Sequence, residues 1–204
     1  MSFNKEQPYN DLPLLLPDNN IWETMAIYKK LAEARAALAE LKGRLPVIPN
    51  PLMLINTLVL QEAKDSSTIE NIFTTNDELY KAFSSSSPNV NPSTKEVLRY
   101  REALWSAFAK LKSPTSYSVG LAVEIFKTIT GKDEGIRTVQ VYIGSSNSVV
   151  YTPPEHGNIL MNKLNNWFDT ALNNNSIDPL IKMAMLHYQF EAIHPFSDGN
   201  GRTG

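Results

Sequence analysis

Cysteine is absent from the 204 residues, which excludes disulfides, thiolate metal sites and thiol nucleophiles. An excess of charge of either sign is also missing. Nineteen basic and 21 acidic residues leave a net charge of -2, so there is no electrostatic case for binding nucleic acid or an anionic membrane surface. Long apolar runs are lacking too. The N-terminal "LLL" (Leu14 to Leu16) is bracketed by Pro13 and Pro17, far short of the roughly 20 residues that span a bilayer, and no basic stretch precedes it as in a secretory leader. These absences point to a soluble, cytoplasmic protein. Apolar content of 42% suits one globular domain with an extension, or two small domains sharing a core.

Residues 1–19 hold prolines and asparagines and read as an extended arm that packs Leu14, Leu15 and Leu16 onto the body. Asn20 with Glu23 resembles a capping box, and Ile27, Leu31, Ala34, Leu38, Leu41 and Leu45 recur at helical spacing up to Gly43 and Pro46. Asn50-Pro51 opens a second helix, with a break near Asp65, and Thr75 with Glu78 opens a third. The loop "SSSSPNVNP" (Ser84 to Pro92) is the best boundary in the chain. It divides an N-terminal helical extension, 1–90, from a core, 91–204.

In that core, Asn91-Pro92 starts a helix through Val97, Leu104 and Leu111, and another runs through Leu121, Ile125 and Ile129 to Gly131. The pattern then changes. "RTVQVYIGSSNSVVYTPP" from Arg137 carries two β-branched and aromatic runs about a Gly-Ser-Ser-Asn turn, the signature of a hairpin. Helical spacing returns at Leu160, Leu164 and Trp167, and Asp178-Pro179 starts a last helix that delivers the chain to His194. The fold class is mostly α with one small β-hairpin.

The densest chemistry lies at "HPFSDGNGRTG" (His194 to Gly204). Glycines let backbone amides approach an anion, and successive amides make a nest for phosphate. Arg202 adds a permanent forked charge, and Asp198 is a hard oxygen ligand of the kind Mg²⁺ uses. His194 titrates near neutrality and suits a general base. Base, metal carboxylate and phosphate cradle in one run point to phosphoryl or nucleotidyl transfer. His187, seven residues before His194, does not complete an HExxH zinc site and reads as a core histidine.

The run resembles the Fic-family motif, H-x-F-x-(D/E)-G-N-(G/K)-R, at His194, Phe196, Asp198, Gly199, Asn200, Gly201 and Arg202. "HYQFEAIHPF", the hairpin followed by "YTPP", and the stretch from "LPLLLP" to "SSTIEN" are also similar to Fic proteins, the last to the N-terminal extension of many bacterial members. The resemblance implies a Fic-like helical bundle with the hairpin, as a flap, beside the active-site loop. It also implies an activity: AMP moves from ATP to a Ser, Thr or Tyr hydroxyl of a target protein. His194 then takes the hydroxyl proton, Asp198 binds Mg²⁺, Gly199, Asn200 and Gly201 form the anion turn, and Arg202 holds the outer phosphates. Phe196 anchors the loop in the core. Glycine rather than lysine at 201 favours AMP transfer over the kinase-like relatives. Relatives often form homodimers. A family core has helices after the motif, so 91–204 is read as a truncated core.

"SSTIEN" (Ser66 to Asn71) places Ser66 and Glu70 four apart on one helical face. It is similar to the family's inhibitory motif, (S/T)-x-x-x-E-(G/N), which implies an inhibitory helix over about 65–72 carrying Ser66, Glu70 and Asn71. There Glu70 occupies the γ-phosphate's space and pairs mainly with an arginine at position 205, beyond Gly204. The resemblance leaves two other readings open: removal of AMP, with Glu70 orienting water, and an inactive nucleotide-binding fragment. The flap, Val139, Gln140, Val141, Tyr142 and Ile143 with Val149 to Thr152, implies target docking by strand addition.

Overall fold

The computed structural model describes residues 4–84, 90–111, 117–145, 148–173 and 176–204, with residues 19, 20 and 83 described by backbone alone. A short turn, α1 (Asn19–Trp22), precedes the long helix α2 (Met25–Arg44). The sequence predicts one helix from Asn20; instead the chain turns extended at Thr24, whose side chain accepts from the Ile27 amide and caps α2. None of the α2 residues is buried. Its apolar stripe is partly covered, with Ile27 and Leu31 half-buried and Leu38 and Leu41 exposed, and an Arg35–Asp178 ion pair ties the helix to the body.

After a 3-10 turn at Leu45–Val47, helix α3 (Pro51–Ile69) starts under an Asn50 cap that accepts from the Met53 amide at 3.0 Å. The break expected near Asp65 does not occur. Gln61, one turn earlier, donates to both Asp65 carboxylate oxygens at 2.9 Å, so that carboxylate is held outside and does not compete with the helix backbone. Helix α4 (Asn76–Ser84) begins with the expected reciprocal box: the Glu78 amide donates to Thr75 Oγ1 and the Thr75 amide to Glu78 Oε2. The boundary loop expected from Ser84 to Pro92 lies mostly on residues 85–89, outside those described.

Helix α5 (Pro92–Lys110) is capped by Asn91, and α6 (Val119–Thr130) by Ser118. Gly131 closes α6 at φ 71°, with the Arg99 guanidinium 3.3 Å from where a Cβ would sit. Two further helices follow, α7 (Asn158–Asn173) and α8 (Pro179–Ile193), then a single turn, α9 (Asn200–Thr203).

Strand β1 (Ile143–Ser145) pairs antiparallel with β2 (Ser148–Tyr151), with a bulge between Ile143 and Gly144. Two residues of the expected turn, 146 and 147, lie outside the description. Gly144 sits at φ 147°, and a Cβ there would come within 2.2 Å of the Ser148 carbonyl oxygen, so only glycine fits. Of the stretch Val139 to Ile143 expected as strand, only Ile143 joins the ladder. Side chains have taken its carbonyls: Arg137 Nη1 donates to Val139 O, and the Gln140 amide donates to Val141 O and Pro153 O.

Two apolar clusters meet along α6. One gathers Phe126, Leu160, Leu164, Phe190, Ile193 and Phe196; the other joins Leu60, Ala63, Leu79, Val97 and Ile129. The N-terminal arm closes over the first through Leu12, which is buried, whereas Leu14 is exposed. Gln189 and Lys163 hold the arm by donating to the Pro13 and Leu12 carbonyls, and the Tyr9 amide bonds Thr152 O at 3.0 Å beside β2. No helix among the described residues is long and apolar enough to cross a membrane.

Candidate functional site

The loop that leaves α8 is fixed from below. Phe196 is fully buried and stacks on Phe126 with ring centroids 4.4 Å apart and planes 5° from parallel. Burying such a side chain contributes about 1.5–3 kcal/mol. Asn200, also buried, closes the loop with both halves of its amide: Oδ1 accepts from the Phe196 amide at 2.9 Å, and Nδ2 donates to Phe196 O at 3.0 Å. Its side chain therefore shapes the loop, and its backbone amide lies at the start of α9. The first-turn amides of α9 have no intrahelical acceptor. Gly199 stands at φ 66°, with Thr130 Cγ2 3.1 Å from a would-be Cβ.

His194 terminates α8 rather than lying on it, in left-handed backbone at φ 51° and ψ 63°. Its Nδ1 sits 3.3 Å from the Glu191 carbonyl oxygen. A carbonyl only accepts, so Nδ1 carries the proton and Nε2 keeps a lone pair, the tautomer a base needs. Burial pushes the imidazole's pKa below its ordinary value, against an opposing pull from that hydrogen bond, and the Arg137 charge adds to the lowering. His187, by contrast, is exposed and not a core residue; helix α8 turns its position outward.

Arg137 is buried and binds four carbonyls around this point. Nε donates to His194 O at 2.8 Å, Nη1 to Val139 O at 3.2 Å, and Nη2 to Pro154 O and Ile193 O. One side chain thus joins the histidine, the end of α8 and both feet of the hairpin.

Asp198 is half exposed. Its Oδ1 accepts from the Gly199 amide at 2.8 Å, and its Oδ2 pairs with Lys132 Nζ at 3.1 Å. Burial alone would raise its pKa, but Lys132, the Gly199 amide and Arg202 together hold it below the usual carboxylate value. It is therefore ionised at neutral pH. A single ionised carboxylate is the kind of protein ligand that Mg²⁺ takes in nucleotide sites.

Arg202 is buried, its side chain 1% exposed. Two carboxylates share it: Glu70 Oε2 on Nε and Glu96 Oε1 on Nη1. Burial would lower its pKa, but the two glutamates outweigh that and raise it. Glu70 goes the other way. Burial raises its pKa, and Arg202 offsets only part of this while Asp198 adds to it. Two carboxylates draw on one guanidinium, whereas Glu70 has only that one cation against its burial.

Glu70 reaches the loop from the end of α3. It is the C-cap, and Asn71 follows at φ 63° in left-handed backbone. The Ile72 amide bonds Ser67 O and the Asn71 amide bonds Thr68 O, both at 3.0 Å, a complete Schellman closure. Asn71 itself is exposed; its part is to tolerate the left-handed turn that aims Glu70. Gly201 makes room for the carboxylate, since a Cβ there would lie 3.2 Å from Glu70 Oε1. Ser66, one turn before Glu70, and Tyr100 on α5 line the same cavity. A cavity of about 1030 Å³ opens beside this meeting point, lined among others by Ser66, Glu70, Glu191 and Gly201.

The structure thus brings together His194, Asp198, Gly199, Asn200, Gly201, Arg202, Ser66 and Glu70. Within this chain Glu70 meets Arg202; position 205, expected as its main partner, lies beyond Gly204. The hairpin is joined to the site through Arg137, and Val139, Tyr142 and Val150 on it are exposed. Sequence reasoning missed Glu96, Tyr100, Lys132 and Arg137. Glu96 and Tyr100 are four apart on α5, but their partners lie in other elements, 106 residues away for Glu96. Arg137 did leave a signal, a lone charge at the head of a β-type run.

Comparison with known proteins agrees with this geometry. Residues 28–109 match the Fic/DOC family N-terminal model and residues 116–204 the Fic/DOC family model. The chain is 30% identical over 115 residues to protein adenylyltransferase Fic of Drosophila willistoni, covering 53% of this chain and 22% of that protein. It is 41% identical over 70 residues to protein adenylyltransferase fic-1 of Caenorhabditis elegans, covering 33% of this chain and 13% of that one. The chain therefore spans less than a quarter of these curated relatives. Among solved structures, a Fic family protein from Desulfovibrio desulfuricans superposes with a TM-score of 0.64 at 22% identity, over 88% of this chain and 55% of that one. Fic-1 from C. elegans gives 0.63 at 24% identity, over 89% and 57%. Two family segments in sequence order, a shared fold and an unbroken loop motif together establish that the chain belongs to the Fic/DOC family.

Proposed function

We propose that the chain is the catalytic and regulatory part of an ATP- and Mg²⁺-dependent protein adenylyltransferase, held back by Glu70. The observation that carries the reading is the Glu70–Arg202 pair within the phosphate-type loop. In the reaction, the hydroxyl oxygen of a Ser, Thr or Tyr on a target protein attacks the α-phosphorus of ATP. His194 Nε2 takes the hydroxyl proton, the bond to the bridging oxygen breaks, and pyrophosphate leaves. Asp198 would hold the Mg²⁺, which neutralises phosphate charge. The α9 amides and Arg202 receive phosphate oxygens, and a cavity of about 1030 Å³ beside them has room for a nucleotide.

While Glu70 lies on Arg202, an outer phosphate cannot. ATP bound without that contact presents its α-phosphate out of line, and misplacement on the 1 Å scale costs on the order of 10²-fold in rate. Residues 1–90 are on this reading the regulatory extension and 91–204 the Fic core, with the flap from Val139 to Ile143 lining up the target segment. The reading is tested by labelling with ATP: Glu70→Gly raises AMP transfer and His194→Ala abolishes it, whereas equal labelling by parent and Glu70→Gly contradicts it.

A second reaction is supported by one observation. Burial raises the Glu70 pKa, which makes its carboxylate a stronger base. In that reaction Glu70 takes a proton from water, the water oxygen attacks the phosphorus of an AMP-modified side chain, the bond from phosphorus to the side-chain oxygen breaks, and the protonated imidazole of His194 gives its proton to the departing oxygen, which leaves as the hydroxyl. Release of AMP from a modified target by the parent, lost in Glu70→Gly, supports it; equal release by both rules it out.

A further inference from the structure

Arg202 is the one cation that the reading above asks to serve two anions in turn, and it is held by a second carboxylate that plays no part in that exchange. Glu96 Oε1 takes Nη1 while Glu70 Oε2 takes Nε. The two contacts fall on different edges of the guanidinium. Nε–H and Nη2–H point the same way and form the side-on fork that grips a phosphate or carboxylate with two bonds; Nη1 lies outside that fork, on the Cδ side. Glu70 therefore sits on the phosphate-gripping edge, and Glu96 does not.

The two carboxylates also differ in their mounts. Glu70 is the C-cap of α3, placed by a left-handed turn at Asn71. Glu96 lies in the second turn of α5, between residues that fix that helix firmly. Thr94 is buried and hydrogen-bonded to Thr74 at 2.6 Å, and Val97 is fully buried. One turn further along the same face, Tyr100 is buried in the cluster that holds Leu60 and Ala63 of α3. The neighbouring Arg99 donates to the carbonyls of Ile129 and Thr130, and Thr130 packs against Gly199 of the loop. Helix α5 thus touches the arginine, α3 and the support of the loop at once.

We propose that Glu96 is a positioning residue for the phosphate-binding arginine: it holds Arg202 by Nη1 both with and without nucleotide, so that the Nε/Nη2 edge passes from Glu70 to the outer phosphate without the guanidinium moving. Release of the inhibited state then requires displacement of one carboxylate, not reorientation of a buried arginine. The inference rests on the reading of this loop as an ATP site. It also assigns the conservative replacement a definite outcome, because glutamine retains a side-chain oxygen that accepts from Nη1 and alanine does not.

The test is calorimetric titration of Glu70→Gly, Glu70→Gly/Glu96→Ala and Glu70→Gly/Glu96→Gln with ATP and with AMP, each with Mg²⁺. If Glu96 acts through Arg202, Glu96→Ala weakens ATP binding by about tenfold or more, the worth of one charge-assisted hydrogen bond broken or misplaced. AMP, which lacks the outer phosphates, binds these variants equally, and Glu96→Gln binds ATP within about threefold of the Glu70→Gly parent, a difference well under one such bond. A merely structural role for Glu96 would weaken ATP and AMP together, and that result overturns the inference, as does unchanged ATP binding in Glu96→Ala or a glutamine variant as weak as alanine. If Glu70→Gly binds ATP but transfers no AMP, the functional reading fails while the positioning role is still decided by these affinities. If Glu70→Gly binds no ATP, both fall.

Discussion

The guanidinium of Arg137 donates from Nε to the carbonyl of His194 at 2.8 Å and, through its other nitrogens, to Val139, Pro154 and Ile193. The residue proposed to take a proton and the feet of the hairpin proposed to present a target are thus held by the same buried side chain. Backbone carbonyls left unpaired in such a place cost about 1–3 kcal/mol each. Arg137→Met should therefore destabilise the protein by about 3 kcal/mol or more in a denaturant titration. Arg137→Lys, which keeps the charge but loses the fork, should recover less than half of that and leave AMP transfer well below the parent. Wild-type stability in Arg137→Met would contradict the assignment.

His194 sets the pH dependence. Burial lowers its pKa from the ordinary 6.5, so the neutral, proton-accepting form persists into mildly acidic solution. The acid limb of AMP transfer should fall below pH 6.5. The linked effect on stability has a definite sign. Between the folded value and 6.5 the unfolded chain binds the proton and the folded one does not, so this group's contribution is present above 6.5 and is lost as pH falls. A histidine NMR titration of the parent against His194→Ala checks both. A His194 pKa at or above 6.5 would contradict the burial argument.

Asn71 tests how the inhibitory glutamate is aimed. At φ 63° glycine is fully tolerated and a β-branched residue is strained by about 1–2 kcal/mol. Asn71→Gly should leave stability and basal AMP transfer close to the parent. Asn71→Val should lower stability and raise basal transfer, because the Schellman turn that directs Glu70 is weakened. A rise in transfer with Asn71→Gly as large as with Asn71→Val would sink this explanation.

The loop was legible in the sequence because its chemistry is contiguous: base, carboxylate, glycines and arginine occupy eleven residues, and Phe196 announces its own anchoring. The end of α3 was half legible. The spacing of Ser66 and Glu70 predicts a shared face, but Asn71 reads as part of an inhibitory signature when its physical task is a left-handed turn. Glu96 and Tyr100 were not legible, since an acid and a phenol on a helix acquire meaning only from partners in other elements. The flap was over-read. Alternating β-branched residues from Val139 predict a longer strand, but the side chains of Arg137 and Gln140 take the carbonyls that a ladder would need, and sequence periodicity carries no record of such competition.

The docking role proposed for the hairpin rests on its exposed side chains, Val139, Tyr142 and Val150. A proline in β2, as in Val150→Pro, bends an exposed strand and removes its amide. Labelling of a target protein should fall by about tenfold or more, the loss of one or two strand hydrogen bonds and their register, while ATP affinity by calorimetry stays within about twofold. Undiminished labelling would mean that the target docks elsewhere.

Whether Glu70 on Arg202 keeps a competent adenylyltransferase idle is tested most directly by transfer of labelled AMP from ATP and Mg²⁺ to protein, followed by mass spectrometry of a treated lysate. Glu70→Gly should label on the order of 10²-fold faster than the parent, as expected when a misplaced α-phosphate comes into line, and Glu70→Gly/His194→Ala should not label at all. Labelling by Glu70→Gly no faster than by the parent, or labelling that survives His194→Ala, would contradict the account.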